Sequence, residues 1–294
     1  MVGSEAALLM LATVMCQVTT TLQMENLDEK DINKILQEDF KKVTSVGIIY
    51  KYSDFDSAVN KILVENTLKF SNPSNYNDPF DCHESLIDFK PTKEIIHETL
   101  MSSPTGKHLP RQFRRKIERN ASNATNLYRA LVEEREKYKV SCFAESKENE
   151  LLWGHYADKH NGICIGFEFP PVYEDKFQIC PVRYLGKIVP IDGSSGKTKT
   201  ILYWLTTKST IWEYEQEFRA IMKAKNDTSS ELVTFKPNVI KEVIFGCKVT
   251  EPQIKTTIKQ IKGSHREYSK IKFTKMKINP SNFSLKEIEI VPGT

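Results

Sequence analysis

Residues 151–169, LLWGHYADKHNGICIGFEF, carry a change of period that decides how the chain is read. Leu152 and Tyr156 stand four apart, and Trp153, Ala157 and His160 share a second face, so the first part is a short helix. Ser146 is positioned to cap it, with Glu148 and Glu150 in its first turn, and Asn161-Gly162 is a stop signal. From Ile163 to Phe169 the residues are apolar almost without interruption. That is the pattern of a strand covered on both faces and therefore central in a sheet.

Working outward, strand-like runs are expected at Ile48–Tyr52, Leu68–Ser71, Val140–Ala144, Val182–Leu185, Glu242–Cys247, Lys270–Ile278 and Ser284–Val291. Helical spacing is expected at Asp28–Val43, Asp54–Glu65, Ile201–Thr207 and Glu251–Ile261. Asn66 reads as a helix stop and the Asn75–Phe80 loop as a stiff turn. Residues 90 to 138 read as a mainly helical insertion. Strands and helices alternate without a regular βαβ beat. The expected class is therefore α+β, a mixed or antiparallel central sheet with flanking helices.

The 294 residues are 39% hydrophobic and 27% charged, enough apolar material for an ordinary core. Residues 24–294 are expected to form one domain. Residues 1–23 are expected to be an extension outside it, because the apolar run Ala6–Val14 has Glu5 where a secretory signal carries positive charge. The six cysteines stand in no metal-binding spacing. That implies free thiols, no metal centre and a reducing, cytoplasmic compartment, with no membrane association. The net charge of +4 is small, but Arg111–Arg119 and Lys259–Lys277 are basic clusters. They read either as solvated faces or as surfaces for a nucleic-acid or protein target.

Familiar phosphate-loop, nucleophile-elbow and zinc-helix motifs are absent from the sequence. The sharpest remaining pattern is residues 211–221, IWEYEQEFRAI. Read as a single strand, it puts Trp212, Tyr214 and Phe218 on one face and Glu213, Glu215, Glu217 and Arg219 on the other. Aligned carboxylates on a pocket wall raise at least one carboxyl pKa and supply an acid or base. On that reading Glu217 lies on a charged face, and Glu217→Gln is expected to cost less than about 1 kcal/mol of stability. His155, beside Trp153 and Tyr156, is either a packing residue or a second catalytic group. Tyr52, Ser71, Asn77, Asp78 and Ser141 stand at strand ends and turns that could shape the same pocket.

The segments YKY (50–52), LKFSNPSNYNDPFD (68–81), SCFAES (141–146), WEYEQEFR (212–219) and VIFGCKVTE (243–251), with 151–169 among them, resemble the DUF2971 family in that order. The resemblance spans Ile48 to the C-terminus, and the family's name states that its function is not established. The order of parts also looks like the ADP-ribosyltransferase fold. That second resemblance implies NAD as substrate and Glu217 as catalytic carboxylate, with Glu215 two residues before it and His155 assisting. Tyr52 would contact the ribose, and Ser141 or Tyr156 the nicotinamide. Ser71, Asn77, Asp78, Trp153 and Arg219 would complete the binding site. Tyr50-Lys51-Tyr52 stands where that fold carries Arg or His, and the Ser-Thr-Ser pattern is missing. Two other classes remain open: a metal-dependent nuclease using Glu213, Glu215 and Asp78, and a non-catalytic binding module.

Overall fold

The computed structural model describes residues 41–89, 97, 101, 108, 110–121, 124–192, 197–224 and 228–290. Residues 1–23, most of the expected helix at Asp28–Val43 and part of the 90–138 insertion lie outside them. The strands in chain order are β1 (Ile49–Ser53), β2 (Thr67–Ser71), β3 (Ile87–Asp88), β4 (Tyr138–Ala144), β5 (Ile163–Phe167), β6 (Val172–Tyr173), β7 (Phe177–Pro181) and β8 (Arg183–Leu185). They continue as β9 (Ile191–Asp192), β10 (Thr207–Ser209), β11 (Glu217–Lys223), β12 (Ser230–Thr234), β13 (Ile240–Phe245), β14 (Lys272–Ile278) and β15 (Leu285–Glu289). The helices are α1 (Arg111–Ala121), α2 (Ala124–Glu136), α3 (Glu150–Tyr156), α4 (Lys197–Thr206) and α5 (Glu251–Ser264).

One 11-stranded sheet dominates, in the order β15-β14-β13-β5-β1-β4-β11-β7-β6, with β2 joined to β4 and β12. Its pairs are antiparallel except β13 with β14, so the α+β class with a mixed sheet holds. Every residue of β5 is buried, as its continuous apolar run requires, and β1 and β13 flank it. Beyond it the backbones crowd. A Cβ on Gly162 would stand 2.2 Å from the Ser53 carbonyl oxygen, and one on Gly246 would stand 2.1 Å from that of His160. Only glycine permits such approach without backbone movement.

The helix before β5 is shorter than its periodicity suggests. Asn149, not Ser146, caps α3, accepting from the Leu151 and Leu152 amides. The chain then passes through Asp158, Lys159 and His160 at positive φ before β5 begins. Between β1 and β2 the expected helix is wound as a π-helix, Ser57–Val64, burying Ala58, Val59, Ile62 and Leu63. Asn66, at φ 52°, ends it as a left-handed residue.

β4 organises the region that matters for function. One edge pairs with β11 along its whole length, from Glu217 opposite Ala144 to Lys223 opposite Tyr138. The other edge is shared: β1 meets it only at Tyr50–Ala144 and β2 only at Ser71–Val140. Ladder pairing between β1 and β4 therefore stops after one residue pair, and the strands part beside Lys51 and Tyr52. β1 and β2, which carry Tyr52 and Ser71, are thus joined through β4.

The principal core, including Phe143, Phe167, Phe218 and Val243, packs on one sheet face. Alternation places Glu217, Arg219 and Ile221 on the other. There, two smaller clusters form, one around Trp204, Ile221 and Val140 and one around Trp153, Cys164 and Ile244. The parted strands and the gap between these clusters leave a cavity.

Candidate functional site

The residues expected to form one strand, 211–221, are divided. Thr210–Glu215 is a 3₁₀ turn, Gln216 is left-handed at φ 43°, and β11 starts at Glu217. The turn breaks the period. Glu213 is exposed, while Glu215 and Glu217 are buried and converge from different elements. The three carboxylates are therefore not aligned on one face, and Glu217 is not on a solvated surface.

Arg219 is the centre of the arrangement and is 0% exposed. Its Nε donates to Glu217 Oε1 at 2.9 Å, and one terminal nitrogen donates to Glu217 Oε2 at 3.2 Å. It also forms a two-pronged contact with Asp81, at 3.0 and 2.6 Å, and donates to the Leu205 carbonyl at 2.6 Å. Such fork geometry is what a guanidinium offers and a lysine cannot. Lys208, from β10, donates to Glu215 at 2.6 Å and to Glu217 at 3.1 Å. Tyr156, at the end of α3, donates its hydroxyl to Glu215 at 2.9 Å. The backbone amide of Glu217 donates to the Tyr184 hydroxyl at 2.8 Å.

These contacts reverse the electrostatics expected from the sequence. Burial alone pushes the Glu217 carboxyl up, but Arg219 and Lys208 outweigh it and hold the pKa at about 2. Burial opposes the charged form of Lys208, yet Glu217 and Glu215 hold its pKa above the usual lysine value. Burial also lifts the Tyr156 phenol, helped by Glu215, and lifts the Cys142 thiol to about 12, helped by Glu217. Glu217 is thus a fixed carboxylate, not a proton donor.

A pH dependence follows. The Glu217 pKa is depressed on folding, so its contribution is fully present above the unfolded value of about 4.5 and is lost as pH falls through about 2. The shift corresponds to on the order of 3 kcal/mol. Urea unfolding of wild type is expected to weaken across that window, with the fall reduced by about that amount in Glu217→Gln.

The network floors a cavity of about 350 Å³. Tyr50, Tyr52, Tyr76 and Tyr156 line it with Asn77, Lys51 and Cys142, and the charged residues of the lining are Asp54, Asp81, Lys208, Glu215, Glu217 and Arg219 besides Lys51. The volume lies within the usual range for a small-molecule site of about 300–1,000 Å³. Lys51 enters where β1 and β4 part. Its Nζ donates to Ser141 Oγ and to the Cys142 carbonyl, each at 3.0 Å, and lies 5.1 Å from the Phe143 ring centroid. Burial pulls its pKa down, while Cys142 and Glu217 pull it up less strongly.

Of the residues expected at the site, Glu215, Glu217, Arg219, Tyr52, Tyr156 and Asn77 line this cavity. Ser141 reaches it only through Lys51. His155 is exposed and faces the ring of Tyr156, outside the lining, because the α3 turn that aims Tyr156 inward turns its predecessor out. His155→Ala is therefore expected to change stability by less than about 0.5 kcal/mol and to leave any activity of the cavity intact, checked by thermal melting and turnover.

Trp153 is fully buried as core. It stacks edge-on with Tyr52 and donates its indole N–H to the Lys147 carbonyl. Ser71 is spent on strand pairing. Asp78 closes its own turn by accepting from the Phe80 amide and is not a lining residue. Sequence reasoning missed Lys51, Tyr76, Asp81 and Lys208. For Lys208 the available signal was a charge shortly after the apolar run Ile201–Leu205; for Asp81 there was none in the sequence.

The arrangement thus has the makings of a small-molecule site: a tyrosine-walled cavity over a locked ion network. A family model described as a protein of unknown function (DUF2971) matches residues 152–220. The match contains Tyr156, Lys208, Glu215, Glu217 and Arg219 but stops short of the wider span from Ile48 that the motifs implied. No curated protein and no solved structure matches the chain. Among the described residues no helix is long and apolar enough to cross a membrane.

Proposed function

We propose that the cavity is the active site of an enzyme that binds the nicotinamide-ribose end of NAD and transfers its ADP-ribosyl group to a macromolecular acceptor. The supporting observation is the placement of Glu217, a buried carboxylate of low pKa in the wall of a tyrosine-lined cavity. When nicotinamide leaves, positive charge develops on the ribose, and an oriented carboxylate stabilises it. A carboxylate has about four acceptor positions. Arg219 and Lys208 fill three on Glu217, and the weakly bonding Cys142 thiol holds a further contact that a ribose hydroxyl can replace. Tyr52 and Tyr156 offer ring faces for the planar base. The exposed basic residues of α1, Arg111, Arg115 and Lys116, and those of α5, Lys255, Lys259 and Lys262, suit an anionic acceptor.

The nuclease alternative loses its motivation. Glu213 is exposed, Asp78 is outside the cavity and both oxygens of Glu215 are engaged. Among the described residues no group of three or more His, Cys, Asp or Glu side chains is placed to hold a metal ion.

Incubating the full chain with NAD labelled in the adenylate half, together with cell extract, tests the proposal. Label entering the macromolecular fraction is the expected result. Intact NAD after prolonged incubation would overturn it.

A further inference from the structure

We infer that Lys51 is an amine nucleophile that forms a reversible imine with a small aldehyde or ketone bound in the same cavity. This activity does not require NAD cleavage. It rests on where the amine stands and what it touches. Lys51 lies on β1 at the point where pairing with β4 stops after Tyr50–Ala144, and its side chain closes the opening between the strands. Among the described residues it forms no ion pair, unlike Lys208 in the same cavity, which touches Asp81, Glu215 and Glu217.

The two hydrogen-bond contacts of Lys51, Ser141 Oγ and the Cys142 carbonyl, equal the number of N–H bonds of a neutral amine. An amine held that way keeps its lone pair free. The surroundings favour that form: burial disfavours the ammonium, and the adjacent Phe143 ring replaces solvent. The titratable groups that line the cavity with it are Tyr50, Tyr52 and Asp54 at β1, Cys142 on β4, Tyr156 on α3, Glu217 and Arg219 on β11, Lys208 on β10, Glu215 in the turn before β11, and Tyr76 and Asp81 in the loop after β2. Asp81, Glu215 and Glu217 are paired with Arg219 and Lys208, and the exposed Asp54 accepts from the Ser57 amide and forms no ion pair with Lys51 among the described residues.

The step balances without an oxidant. The nitrogen lone pair adds to the carbonyl carbon, the π electrons pass to oxygen, and a proton moves from nitrogen to that oxygen. The second nitrogen proton leaves with the hydroxyl as water, and the C=N bond forms. The hydroxyl of Ser141, 3.0 Å from Nζ, is placed to relay these protons. Desolvated lysines are the usual providers of this chemistry.

The test uses the wild-type full chain, benzaldehyde as the planar carbonyl probe and cyanoborohydride at neutral pH, with label located by peptide mapping. Lys51 is expected to be modified faster than the average surface lysine, because burial leaves more of its amine neutral at that pH. Lys51→Arg, which keeps hydrogen-bond donors on a long side chain but cannot form an imine, should lose that fast label and retain the slow surface background. Wild-type label spread over surface lysines with Lys51 no faster would overturn the inference, whatever the result with NAD. Fast label at Lys51 alongside intact NAD would leave this inference standing and overturn only the transferase reading.

Discussion

Arg219→Leu is expected to destabilise the protein by about 3–5 kcal/mol, the cost of breaking a buried ion pair from one side. Leucine fills much of the volume, so the loss is electrostatic. Asp81 and Glu217 would be left with Lys208 as their only cation, and that amine is already shared with Glu215. The Leu205 carbonyl would lose its 2.6 Å donor as well. A loss of this size is a large share of the stability of an ordinary domain. Urea unfolding checks it, and a variant as stable as wild type would mean that the network contributes nothing to the fold. Replacing Arg219, Asp81 and Glu217 together by apolar residues is expected to be milder than Arg219→Leu alone, because no charge is then left unpaired.

The contrast between strand and site shows what the sequence could and could not carry. β5 was readable because a fully buried strand needs an uncharged run such as Ile163–Phe167 and little else. The alternation at Glu217, Phe218, Arg219 and Ala220 was equally readable, and it does put the charges opposite the aromatic. What failed was extending that alternation back to Trp212. Gln216 adopts φ 43° with no glycine to announce it, so the period breaks without a local signal. The reading also took a charged face for a wet one. Whether charges face solvent or each other depends on Asp81, which comes from a loop remote in sequence, and on Lys208, which the intervening turn brings back over Glu215 and Glu217.

His155 failed for a related reason. Composition marks a histidine between aromatics as chemical, but a seven-residue helix has only one inward turn, and Leu152, Trp153 and Tyr156 use it. Lys51 was passed over because a lysine in an alternating strand ordinarily faces water. Only the early end of pairing between β1 and β4 gives it a cavity to occupy.

Glu217→Gln carries the second large effect. The amide keeps the shape of the carboxylate and can still accept from Arg219, so the cavity keeps its outline. It cannot bear the negative charge that the proposed transition state needs. Turnover of NAD is expected to fall roughly a hundredfold or more, on the order of the loss from one preorganised electrostatic contact. Because Glu217 is buried and paired with two cations, the substitution also costs on the order of 2–3 kcal/mol of stability, unlike the small change expected of a surface residue. Activity must therefore be compared where melting curves show both proteins folded.

The direct measurement is the rate of nicotinamide release from NAD by wild type and Glu217→Gln side by side, at neutral pH and below both melting transitions. Measurable release by wild type with a roughly hundredfold or greater loss in Glu217→Gln is the predicted result. Equal rates in the two folded proteins, or no release by either, would contradict the assignment of Glu217 as the carboxylate that drives the reaction.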